Sequence, residues 1–304
     1  MNASNIESFN AAMEAVNAMP APTWHRLRVN NEKIGLPSGL EPSSDIELSI
    51  DNIELGESGA FDSALSTFQQ KLDARNEGTV DTRAVVVAAA GNENPENLDI
   101  PALSSYQRKA VLEEIENSVS KAFETGMGTE AFAYLESVSD GHLVLVAPEK
   151  AVGSATVRIS AKDGMANAAC VDVVAAPHSN VSLTISFEGS SRGSGFAGCG
   201  LRVFAGVGAE VEVSSIQALD GCWTVFDDSG YVLDDDAHVA VTHRVLGADS
   251  ASTGLSADLR GNQSRIDVVT RYLGAEKQKR DFNYSIKQRG CLTESNLDAN
   301  GVLA

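Results

Sequence analysis

The sequence predicts a mainly β protein, a parallel β-helix preceded by a helical N-terminal region, with the change of character near residue 140. Two patterns carry that expectation. Before residue 140 apolar residues recur at helical spacing, whereas after Gly141 they recur at every second position, in short runs. The runs are joined by glycine-containing corners rather than by further helices.

The elements follow in order. Residues 4–18 open with Ser4 and Asn5 as caps and place Ile6, Phe9, Met13 and Val16 on one helical face. Pro20 and Pro22 stop that helix, because proline lacks an amide donor and restricts the residue before it. In the cluster "MPAPTWHRLRVNN", Trp24 is expected to pack, and His25, Arg26 and Arg28 to pair with nearby acids; a docking segment is the alternative. A helix is expected over Phe61–Arg75 and a lone strand over Arg83–Ala88, before the turn-rich "GNENPENLDIP". Ser105–Met127 repeats Val111, Ile115, Val119 and Phe123 every fourth residue, an amphipathic helix.

The second part opens on strands. "VSLTISFEG" sets Val181, Leu183, Ile185 and Phe187 on one side and Ser182, Thr184, Ser186 and Glu188 on the other, as a half-buried strand requires. Similar runs are expected at 142–146, 155–160, 170–174, 201–204, 211–216, 222–226, 239–245, 265–272 and 281–286. A Gly-Ala-acid corner recurs at Gly208-Ala209-Glu210, Gly247-Ala248-Asp249 and Gly274-Ala275-Glu276, which reads as a degenerate internal repeat. An antiparallel sandwich competes with the β-helix. Its diagnostic Asn-Gly hairpin turn appears only at Asn300-Gly301, which favours stacked coils. The division expected is a helical region over 1–140 and a β-helix core over 141–304.

Charge and composition exclude several functions. With 43% hydrophobic residues the chain can build a core, and with 42 acidic against 23 basic residues its formal charge is −19. Such a chain repels nucleic acid and anionic lipid, so neither is an expected partner. The opening residues lack a basic, apolar secretory leader, and no run reaches the roughly 18 apolar residues of a membrane span, so a cytoplasmic protein is expected. Cys170, Cys199, Cys222 and Cys291 form no Cys-x-x-Cys pair; each is expected to be a small buried hydrophobe, without disulfides.

Three segments hold candidate chemistry. "GSGFAG", Gly193 to Gly198, has dinucleotide-loop spacing, but a strand rather than a helix follows, so a flexible corner is expected. "DDSGYVLDDDAH", Asp227 to His238, gathers five aspartates and a histidine. On a β-helix such carboxylates could bind calcium or act on acidic polysaccharide, with Asp234 to Asp236 as acid and base, although a solvated turn is the simpler expectation. His142 and His243 lack a spaced partner and read as packed or surface residues rather than ligands.

Two stretches carry a family resemblance. "PAPTWHRLRVNN" resembles the opening segment of SufD-type proteins of the SUF iron–sulfur cluster assembly system. The tail "LRGNQSRIDVVTRYLGAEKQKRDFNYSIKQRGCLTESNLDANGVLA" resembles the SufB/SufD core through Leu259 to Gly261, Tyr272 to Gly274, Gln278 with Asp281, Thr293 with Ser295, and Gly301 to Leu303, in that order. In that family a helical part precedes a right-handed parallel β-helix.

The resemblance implies a non-enzymatic scaffold working with a SufB-like subunit and a SufC-like ABC ATPase, with a transient iron–sulfur cluster in the complex. Many relatives have a histidine where this chain reads Lys287-Gln288-Arg289-Gly290-Cys291. The family continues beyond the Gly-Val-Leu step into its pairing and docking surfaces, so the C-terminal part is expected to be missing. No catalytic, cofactor or metal residue is therefore carried over. An open last coil is expected to self-associate or to meet a partner.

Overall fold

The computed structural model describes residues 12–15, 33–43, 45–76, 122–190, 192–275 and 277–304. The chain divides into two compact units: Met1–Val16, Lys33–Asp62 and Phe123–Ala304 form the larger, Asn17–Glu32 and Ser63–Ala122 the smaller. In the smaller unit the described residues are essentially the body of helix α1 (Ala60–Asn76), which buries Phe68 and Leu72.

The larger unit is a parallel β-solenoid of about six turns. Each turn contributes one strand to each of two sheets. The eight-stranded sheet stacks β6 (His142–Ala147), β8 (Met165–Ala175), β10 (Gly193–Ala205), β12 (Gly221–Leu233), β14 (Ser250–Leu259) and β16 (Lys279–Gln288). The seven-stranded sheet stacks β7 (Val152–Ala161), β9 (Asn180–Gly189), β11 (Glu210–Gln217), β13 (His238–Val245), β15 (Arg265–Gly274) and β17 (Glu294–Leu303). Register partners lie between 26 residues apart, Thr224 with Ser250, and 30 apart, Asn180 with Glu210. Sequential strands of the stack lie in opposite sheets and pair in parallel with the strand of the next coil, so among the described residues no hairpin joins them. The stacked coil prevails over the sandwich.

Strands preceding the solenoid complete the sheets. β3 (Glu41–Ser43) pairs in parallel with β8. β4 (Ile46–Asp51) and β5 (Glu54–Leu55) run antiparallel to β7 and β6, closing off the amide and carbonyl edge of the first coil. Between the two sheets lies the main core, with stacked columns such as Val181, Val211, Val239 and Ile266. On the outer side of the eight-stranded sheet, α2 (Thr129–Val138) sets Ala131 and Leu135 against Ala168, Cys170, Phe196 and Phe226.

The corners obey one rule. Lys150, His178, Gly208, Asp236, Gln263 and Leu292 occupy the same place in successive turns, each with φ of 57–60°. From the first five, the amide donates to the carbonyl just before the equivalent residue one coil on: Lys150 to Pro177, His178 to Val207, Gly208 to Asp235, Asp236 to Asn262 and Gln263 to Cys291, at 2.8–3.1 Å. Those hydrogen bonds sustain a left-handed conformation that costs non-glycine residues free energy.

Several sequence expectations are corrected. Within 4–18, Ala12–Ala15 is not helix but β1, antiparallel to β2 (Lys33–Leu36), because strand pairing overrides a weak helical propensity. Of the helix expected over Ser105–Met127, residues 122–127 are irregular, with bends at Ala122, Gly126 and Met127; the Gly126 amide donates to the Ser229 carbonyl and that of Met127 to Asp228. "GSGFAG" is the start of β10 rather than a corner, with Gly198 packed under Leu135. Asp227 to Leu233 is buried strand rather than solvated turn. The Gly-Ala-acid corners are not equivalent positions: the one at Gly208 leads out of the eight-stranded sheet, those at Gly247 and Gly274 lead into it.

The helix over Phe61–Arg75 matches α1. The cluster at 19–31, the strand at 83–88, the turn-rich stretch after it and the rest of the two helices lie outside the described residues. Cys170 and Cys199 are buried, but Cys222 and Cys291 are exposed: Cys222 points outward near the start of β12, and Cys291 sits on a turn.

Candidate functional site

Side chains of a solenoid strand alternate between lumen and surface, and stacking in register lines equivalent residues into columns. On the seven-stranded sheet one inward column reads Val157, Ile185, Ser215, His243, Thr270 and Ala299. It turns polar in its middle three coils. An inward column of the eight-stranded sheet turns polar at the same coils, reading Ala169, Cys199, Asp227, Thr253 and then Phe282.

These columns meet in the lumen. Ser215 Oγ donates to Asp227 Oδ2 at 2.6 Å, joining the two sheets. Tyr284 of β16 places its hydroxyl 3.0 Å from His243 Nδ1 and 2.8 Å from Thr270 Oγ1. Cys199, Ser215, Asp227, Tyr231, His243 and Thr270 are all buried. The Asp227 carboxylate bears electrostatically on Cys199, Tyr231, His243 and Tyr284.

Burial sets their protonation. It pushes the Cys199 thiol well above its ordinary value, with the nearby acids adding to the shift, so the sulfur stays a thiol. It lowers His243 against the pull of Asp227, so the imidazole is neutral, and it raises the Tyr231 and Tyr284 hydroxyls. The cluster is therefore a set of neutral hydrogen-bonding groups around one acid. Among the described residues no three of His, Cys, Asp and Glu are disposed to hold a metal ion.

A second polar cluster lies on the outer side of the eight-stranded sheet. Arg202 clamps Asp172 with two hydrogen bonds, Nε to Oδ1 at 2.7 Å and Nη2 to Oδ2 at 2.6 Å, and stacks 4.6 Å from the Phe61 ring. His142 bridges Asp172 at 3.2 Å and Glu136 of α2 at 2.9 Å, which holds its pKa above the ordinary value.

The sequence named His142, His243, Cys199 and the aspartates but did not assemble them. His142 does have partners, 6 and 30 residues away. Asp227 faces the lumen and Asp228 the opposite side, so adjacent acids serve different clusters. Asp234 to Asp236 do not form an acid–base pair. The Asp235 carboxylate accepts the Asn262 amide at 2.7 Å, and that of Asp236 accepts from Gln263 Nε2 at 3.0 Å. Turn geometry occupies them, which disfavours the polysaccharide-enzyme alternative. Thr270 and Tyr284 went unnoticed; the coil period aligns Thr270 with His243, whereas Tyr284 reaches it across the lumen from the opposite sheet, where its register partner is Leu255.

Fold and lumen together define a class, the two-sheeted parallel β-solenoid carrying polar residues in a largely apolar interior. Residues 157–304, from within β7 through β17, match the sequence model of a family described as SUF system FeS cluster assembly, SufBD core domain. That match supports a place in the SufB/SufD family and a role in SUF iron–sulfur cluster assembly. No curated protein and no solved structure gives a match. Among the described residues no helix is long and apolar enough to cross a membrane.

Proposed function

We propose that this chain is a SufD-like, non-catalytic scaffold component of iron–sulfur cluster assembly, working in the cytoplasm with a SufB-like subunit and a SufC-like ABC ATPase. The observation that carries the reading is the family match, which falls on the residues that wind into the solenoid. Members of that family are assembly components without catalytic activity of their own. The nascent cluster is cargo of the complex in this reading, and none of the residues described above is assigned to hold it. A division of the chain near residue 140, with the β-helix core after it, belongs to the same proposal.

Affinity purification of the tagged full chain from its native cell is the test. Recovery of an ABC-type ATPase together with a second SufBD-type subunit is the expected result. Recovery of neither, from cells in which both are expressed, overturns the assignment.

A further inference from the structure

Residues 123–138 lie across the outer side of the eight-stranded sheet, and a titratable group sits beneath each end of them. At the α2 end, His142 is hydrogen-bonded at both ring nitrogens, to Asp172 on the sheet and to Glu136 on the helix. Only the doubly protonated ring can donate to both carboxylates at once. At the other end the fully buried Asp228 accepts the Met127 amide at 2.7 Å through Oδ1, while Oδ2 makes no hydrogen bond. Between them the backbone sits flush on the sheet: a Cβ on Gly126 would fall 1.8 Å from Leu255 N, and one on Gly254 would fall 2.6 Å from both Asp228 Oδ1 and Met127 N.

We propose that residues 123–138 form a proton-locked cover, seated on the sheet while His142 and Asp228 carry their protons and loosening as the pH rises from mildly acidic to mildly alkaline. The groups facing each lock are accounted for. Around His142 stand Asp172 on β8, Glu136 on α2 and, opposing protonation, Arg202 on β10; Cys170 is its register neighbour. Around Asp228 stand Asp227 on its own strand and, favouring the charged form, the Thr125 hydroxyl and the Gly126 and Met127 amides. Burial outweighs those donors and pushes Asp228 up to about 7.

Both groups hold protons more tightly in the seated state than in a freely solvated one. Their contribution is complete at low pH and declines as pH rises toward the seated values. For Asp228 the decline runs from the ordinary carboxylate range to about 7, and for His142 from near 6.5 upward. The Lys287–Glu124 ion pair at 2.6 Å and the Asn283 bond to the Gly126 carbonyl also tether the cover. A lifted cover exposes Ala168, Cys170, Gly198 and Phe226, an apolar strip seated under α2.

Hydrogen–deuterium exchange of the full chain, corrected for the intrinsic pH dependence of amide exchange, reads this directly. Opening of residues 123–138 relative to β10 is expected to rise at least about fivefold from about pH 5.5 to about pH 8.5. In the variant His142→Gln with Asp228→Asn the rise is expected to be less than about twofold. An opening in the unaltered protein that does not change with pH overturns the proposal, as does an equal response in the variant. The profile of the unaltered protein decides the matter should the variant not fold. The cover stands or falls independently of the assembly role.

Discussion

The two sheets of the solenoid share one lumen but differ on their outer sides. On β9, β11 and β13 the outward residues, among them Ser182, Thr184, Glu212 and Thr242, are exposed or half-buried, and burial alternates cleanly along each strand. On β8, β10, β12 and β14 nearly every residue is buried, because α2 and the segment before it cover much of the outer side. A strand with one wet side keeps a period of two; a strand buried on both sides has no reason to. The outward residues of the second kind include Ala166, Ala168, Gly198, Gly200, Gly230 and Gly254, small enough to admit a close-lying cover.

That difference explains what could be read from the sequence. "VSLTISFEG" announces itself, as do the runs at 211–216 and 239–245, because each alternates. β14, "SASTGLSADL", gives no periodic signal and was missed, and "GSGFAG" with "DDSGYVL" reads as corner and turn for the same reason. Conversely Ile46, Leu48 and Ile50 of β4 do alternate, a signal passed over beside the helical patterns around it. The lumen cluster was hidden by distance along the chain. His243 and Tyr284 are 41 residues apart and lie on opposite sheets, so no register of the coil repeat pairs them; they meet across the lumen.

The contrast can be broken most sharply at the cover. Leu135→Ala empties a fully buried site against Phe196 and Cys170 and is expected to cost about 3 kcal/mol in chemical denaturation. Gly126→Ala drives a methyl into the backbone of β14 and should cost about 2 kcal/mol, with exchange protection lost first over residues 123–138.

A third change addresses the lumen, which both sheets share. His243 is held neutral by burial, so its folded-state pKa lies below the unfolded value near 6.5. Stability from this source is present above that pH and lost as the pH falls through the depressed value. His243→Leu should remove that acid sensitivity in thermal melts, while giving up the Tyr284 bond at about 1 kcal/mol. Smallest of all, Thr184→Ala on the solvent side of β9 should change stability by less than about 0.5 kcal/mol; a larger loss would mean that this side too is covered.

The ladder of corner amides gives the molecule a grammar of growth. Each corner closes its own turn and also fastens onto its successor, so the block 180–209 could be duplicated or excised with its seams intact, Ser179 handing on to Glu210 as it now does to Asn180. Length in such an architecture changes by whole windings, and a newly copied winding arrives with its attachment points already in place.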